Sequence, residues 1–210
     1  MKYPTISNAP LIRSNVTFPH CYWDDAFSEL EISKLENYCN DLEKNDGKIF
    51  DDTKEGVAFV NRKSKVAFIS KIEHPELNWV FERFNTIITS LNNEFYNFNL
   101  NGYSSFQYTE YDAKYEGKYN YHIDMRIGGM GDISIGGETR KLSLVLFLSD
   151  PDSYEGGQFS MKLSEDDEFF IEQKKGKIIL FPSFLLHKVH PITKGTRKSI
   201  VIWVEGPKFI

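Results

Sequence analysis

The chain has 210 residues, 40% apolar and 15% aromatic, and a formal net charge of −5. That length suffices for one domain with a real core. The lack of any basic tract disfavours a nucleic-acid partner, because holding a phosphate backbone takes clustered Lys and Arg. No stretch is long and apolar enough to span a bilayer, and the opening MKYPTISNAPLIRS has no apolar signal-peptide core. Cys21 and Cys39 form no CxxC pair, so zinc–thiolate chemistry has no support. A cytoplasmic, reduced protein is the expectation.

Ser28-Glu29-Leu30-Glu31 reads as a capping box that opens a helix, with Ile32, Leu35, Cys39 and Leu42 on one face. Val57 to Val60 and Val66 to Ile69 read as short strands around a turn at Asn61-Arg62-Lys63. His74-Pro75-Glu76 opens a second helix, since Pro at a first-turn position loses no hydrogen bond. Its stripe is Leu77, Val80, Phe81, Phe84, Ile87, Ile88, Leu91 and Phe95.

After Asn101-Gly102 the pattern becomes strand-like. Tyr103–Tyr111, Lys118–Asp124, Lys141–Ser149, Gln158–Leu163, Glu168–Glu172, Lys177–Phe181, Leu185–Val189 and Ser199–Glu205 alternate with turn signals such as Asp150-Pro151-Asp152. The expected fold is mainly β with flanking α: a double-stranded β-helix (jelly roll) with the N-terminal helices packed on one sheet. The chain reads as a single domain over residues 1–210, with a helical support region at 1–100 and a jelly-roll core at 101–207.

The chemistry concentrates at the open end of such a fold. His122 and Asp124 share a strand face, because side chains two apart point the same way. Read alone, an HxD can equally be a histidine bonded to a surface carboxylate. His187 and His190 are the two partners that could complete a metal site. They stand three apart, so only one can face it. His190 precedes Pro191 and reads as a solvent-facing strand-end residue; His187 lies further inside the strand and is the choice. Two imidazoles and one carboxylate can cap one face of Fe(II) and leave the other face open. Arg197 follows ten residues after His187. A strand–turn–strand hairpin over Val189 to Lys198 would bring its guanidinium, a two-pronged carboxylate binder, back beside His187.

This order of HxD, distal His and Arg resembles the Fe(II)- and 2-oxoglutarate-dependent oxygenases, in their prolyl 4-hydroxylase-like branch. The segments that carry the likeness are TEYDAKYEGKYNYHID, RKLSLVLFLSDPDSYEGGQFSM and GKIILFPSFLLHKVHPITKGTRKSIVIW. The resemblance implies iron ligation by His122, Asp124 and His187, and a grip by Arg197 on the distal carboxylate of 2-oxoglutarate. It implies that Tyr111 reaches the same cosubstrate. Where hypoxia-sensing members have a tyrosine, this chain has Phe147; Ser143 shares its strand face and is expected to replace part of that hydrogen bonding. Arg126, Arg140 and Trp203 fall on the substrate side.

The activity so implied is hydroxylation of an unactivated C–H bond, with a prolyl residue of a protein or peptide as target. It would consume 2-oxoglutarate and O2 and use ascorbate as reductant. The intact Asp124 argues against the related halogenases, whose matching residue is small. Trp203 stands where nucleic-acid dealkylases of the wider family carry a further arginine. A free amino acid or other small molecule is the alternative substrate, and a non-enzymatic metal-binding jelly roll is the alternative class. The glycine-containing stretch Met125 to Asp132 reads either as a flap over the site or as a plain connecting loop.

Overall fold

A computed structural model describes residues 18–47, 61–125 and 138–207. Among these, fourteen strands form three antiparallel sheets. The largest sheet runs β1 (Cys21–Trp23), β11 (Ile178–Pro182), β7 (Thr139–Phe147), β14 (Thr196–Gly206), β5 (Ser105–Asp112), β4 (Lys65–Ser70), β2 (Asn45–Asp46). The second runs β10 (Glu168–Ile171), β9 (Phe159–Lys162), β12 (Leu186–Val189), β6 (Lys118–His122), β3 (Arg62–Lys63). A small third sheet pairs β13 (Ile192–Lys194) with β8 (Glu155–Gly156). This is the jelly roll that the strand pattern predicts.

Helices α1 (Glu29–Asn40) and α2 (Asn78–Leu91) pack on the larger sheet. The α1 start follows from local chemistry. Ser28 Oγ accepts from the Glu31 amide at 3.3 Å, and the Glu31 carboxylate accepts from the Ser28 amide at 2.9 Å. Ile32, Leu35 and Cys39 are buried as the stripe predicts; Leu42 falls just past the helix end and is partly buried. Pro75–Leu77 forms a 3-10 turn before α2, and Asn92–Tyr96 a π-helical turn after it.

Both faces of the larger sheet are covered, which explains why LSLVLFL shows no polar alternation. In β7, Leu142, Leu144 and Leu146 join the core beneath the helices, while Val145 and Phe147 join the core between the sheets. The same period of two divides β14: Ile200, Ile202 and Val204 lie under the helices, and Arg197, Ser199, Val201 and Trp203 line the inter-sheet cavity.

Four expectations need correction. Asn61-Arg62-Lys63 is not a turn: Arg62–Lys63 is β3, which pairs with Lys118 and Tyr119 of β6. The helical support region also supplies β1, β2, β3 and β4, so strands from before residue 101 extend both main sheets. No hairpin links His187 to Arg197. The chain leaves β12 in the smaller sheet, pairs briefly as β13 with β8, and enters β14 of the larger sheet after Gly195, whose φ is +72°. Finally, β6 ends at His122, and Asp124 lies in a bend just beyond it. The expected strand at Val57 to Val60 falls outside the described residues.

Phe84 is fully buried, with its ring 5.2 Å from that of Phe27 and 5.8 Å from that of Phe106. Phe84→Ala is expected to cost about 3–5 kcal/mol in equilibrium urea unfolding. Phe170, which is 58% exposed, provides the contrast: Phe170→Ala should stay within about 0.5 kcal/mol of the wild type. Equal effects at the two positions would contradict the placement of the core.

Candidate active site

The two sheets meet around a cavity lined by Tyr111, Tyr119, His122, Asp124, His187, Arg197 and Trp203 among others. His122 ends β6 and stands opposite His187 of β12 in the antiparallel register. Asp124 joins them from the bend, where its amide and that of Met125 both donate to the Ser183 carbonyl at 2.9 Å. One ligand atom from each of the three residues falls within 4.8 Å of the others. The carboxylate oxygens of Asp124 lie 3.6 Å from His122 Nε2 and 3.4 Å from His187 Nε2.

The backbone fixes which nitrogens face inward. His122 Nδ1 donates to the Asn120 carbonyl at 2.8 Å, and His187 Nδ1 to the Leu185 carbonyl at 2.9 Å. In a neutral ring this leaves the Nε2 lone pair pointing at the cluster. Burial, then the neighbouring His187, pulls the His122 pKa down to about 4, which keeps that imidazole neutral. Burial pushes Asp124 upward, but the adjacent imidazoles outweigh it and hold the carboxyl well below the usual range. Two imidazole nitrogens and one carboxylate form a donor set that fits a divalent first-row metal.

Ser143 lies on the inner face of β7, but its contact is with Asp124. Its hydroxyl donates to Oδ2 at 2.7 Å and bonds to the Ser183 hydroxyl at 2.9 Å. In this position Ser143 supports the Asp124 carboxylate. His190 is half-buried rather than solvent-facing. It bonds to Ser160 Oγ at 2.9 Å and Glu168 at 3.2 Å, on the sheet face opposite the inward Phe159 and Met161.

Arg197 enters the cavity from the larger sheet. It is 2% exposed, and its guanidinium carbon lies 5.6 Å from the Tyr111 ring centre and 5.4 Å from that of Phe147. Nε donates to Gln173 at 2.8 Å and Nη1 to Ser199 at 3.4 Å. Nη2 is buried without a hydrogen-bond partner. A buried, unmatched cationic donor is costly unless an anion meets it, and a carboxylate suits its fork.

Arg140 stacks on Trp203 at 4.0 Å and its Nη1 reaches the Asp124 carbonyl at 3.5 Å. Arg126 and most of the Met125 to Asp132 stretch fall outside the described residues. Sequence reasoning missed Arg62, which is buried, lines the cavity and lies 4.7 Å over the Tyr119 ring. Its setting in Asn-Arg-Lys-Ser-Lys gives no local sign of burial.

Residues 106–205 match the family model of the 2OG-Fe(II) oxygenase superfamily. This stretch is similar to that superfamily, and it includes His122, Asp124, His187 and Arg197. A PKHD-type hydroxylase of Maricaulis maris is 40% identical over 88 residues, which cover 42% of this chain and 36% of that protein. The match thus spans little more than a third of that relative's length. A prolyl-4-hydroxylase of Pseudomonas putida has the same fold, with a TM-score of 0.67 at 17% identity over 91% of this chain and 94% of its own. A prolyl hydroxylase of Trichoplax adhaerens, solved with a hypoxia inducible factor peptide fragment, gives a TM-score of 0.66 at 18% identity, covering 89% and 83%.

The Ser143–Asp124 bond yields a direct test. Ser143→Ala should weaken Mn(II) binding about 10–100-fold, the usual effect of losing a group that orients a ligand. Competition against a chelator of known affinity would measure it, and unchanged binding would remove Ser143 from the site.

Proposed function

We propose that this protein is an Fe(II)- and 2-oxoglutarate-dependent dioxygenase whose substrate is a prolyl residue in a protein or peptide. One observation carries the reading: three metal-type ligand atoms within 4.8 Å of one another share a cavity with the unpartnered Nη2 of Arg197. His122, Asp124 and His187 would hold the iron, and Arg197 the distal carboxylate of 2-oxoglutarate. Tyr111, buried beside Arg197, would complete that end of the pocket.

Iron with 2-oxoglutarate and O2 supplies the oxidising power: 2-oxoglutarate, O2 and R–H become succinate, CO2 and R–OH. The chain's own part is placement and protection. The backbone carbonyls of Asn120 and Leu185 orient the two imidazoles. Val145, Phe159, Val189 and Val201 wall the cavity with apolar surface that keeps water out. Arg140 and Trp203 frame the entrance, where a peptide would approach. The prolyl target rests on the hydroxylase names of the relatives and on the peptide held by the Trichoplax protein. Two free, buried cysteines, both pushed up to about 12 chiefly by burial, fit a reducing, cytoplasmic setting and no thiol chemistry.

The test supplies Fe(II), 2-oxoglutarate, ascorbate and O2 together with proline-containing peptides, and measures succinate and oxygen added to the peptide. His187→Ala should abolish succinate formation. Arg197→Ala should raise the KM for 2-oxoglutarate about 100-fold, since it removes charge-assisted hydrogen bonds worth roughly 1.5–3 kcal/mol each. Succinate without peptide hydroxylation would redirect the reading to a small-molecule substrate. Folded, iron-loaded wild type that forms no succinate would leave a metal-binding jelly roll.

A further inference from the structure

Gln173 lies in the turn between β10 and β11 and contributes nothing to the metal cluster, yet it contacts the buried guanidinium directly. Its Oε1 accepts from Arg197 Nε at 2.8 Å, and its Nε2 donates to the Gly157 carbonyl at 3.2 Å. Nε of arginine can only donate and a carbonyl can only accept, so the amide has one workable orientation. The neighbouring backbone is equally constrained. Gly157 has φ +66°, and a Cβ there would fall 2.2 Å from Ile192 Cδ1 and 3.1 Å from Arg197 Cδ. The arginine stem thus passes close over a bare backbone, and the amide grips its Nε edge.

Besides Gln173, Arg197 meets the ring faces of Tyr111 and Phe147, Ser199 as an acceptor at 3.4 Å, the long end of the range, and the nearby Tyr154 hydroxyl. With Nε held by Gln173, the end of the fork, where Nη2 is unpartnered, is left for a ligand. A carboxamide suits this position because it accepts a hydrogen bond without neutralising the cation, whereas a carboxylate would compete with an incoming anion.

We propose that Gln173 is a positioning residue that holds the Arg197 guanidinium toward the distal carboxylate of the 2-oxo acid, and so sets the preference for a dicarboxylic cosubstrate. This inference rests on the proposed role of Arg197. It assigns no chemistry to Gln173 itself, which acts through the arginine.

The experiment is calorimetric titration of the Mn(II)-loaded protein, without turnover, with 2-oxoglutarate and with 2-oxobutanoate. The second acid keeps the 2-oxo acid end and lacks the distal carboxylate. In Gln173→Met, and in Gln173→Leu as a second variant, the Kd for 2-oxoglutarate should rise about tenfold, the equivalent of one charge-assisted hydrogen bond. The Kd for 2-oxobutanoate should stay unchanged. In an Arg197→Ala background, Gln173→Met should have no further effect on 2-oxoglutarate, because the two residues act as one unit. Unchanged 2-oxoglutarate binding in both variants overturns the inference. An equal loss for both acids also overturns it, since that would mark a general structural role. Wild type that takes up Mn(II) but binds no 2-oxoglutarate would overturn the cosubstrate reading itself, before Gln173 is considered.

Discussion

The antiparallel register between β12 and β6 sets His187 opposite His122, and the geometry of the site depends on that pairing. A slip of β12 by one residue would turn His187 to the outer face of the sheet and away from His122. The register is held on its other flank as well, where β9 pairs His187 with Met161 and Val189 with Phe159, both buried between the sheets. Core packing and ligand placement therefore specify the same alignment. The third member, Asp124, depends on a different contact. The bend that carries it is tied to Ser183, the residue that follows β11.

The two sheets divide the labour. The smaller one presents the histidines; the larger one presents Arg197, Tyr111 and Ser143. The larger sheet can hold a buried guanidinium in place because its opposite face is loaded with apolar contacts to α1 and α2. Leu144, Leu146, Ile200 and Ile202 are fully buried against that layer, so β7 and β14 have little freedom to shift. The helices touch no ligand atom, yet their burial stiffens the strands that carry the arginine. Close packing of this kind transmits constraint over several residues.

What could be read from the chain alone follows from the range of the forces involved. The capping box at Ser28, the α2 stripe and the main strands are encoded within a few residues of themselves, and all appear where the pattern puts them. The three side chains of the cluster were legible because HxD is a local pattern and His187 sits inside a strand. Short strands such as Cys21–Trp23 and Glu155–Gly156 were not legible, because each exists only through a distant partner. Arg62 looked like a turn residue because its burial comes from pairing with β6. Gln173 carries no local signal, because its contact is with Arg197, 24 positions away. The hairpin drawn between His187 and Arg197 erred because Ile192–Lys194 pairs with Glu155–Gly156 and carries the chain across to the other sheet.

The central claim is that one cavity holds both a divalent iron and a 2-oxo acid anchored by Arg197. Its most direct test is the visible absorption spectrum of anaerobic Fe(II)-loaded protein before and after 2-oxoglutarate is added. The account predicts a weak visible band that needs iron and 2-oxoglutarate together. Folded, iron-loaded protein whose spectrum does not change when 2-oxoglutarate is added would contradict it.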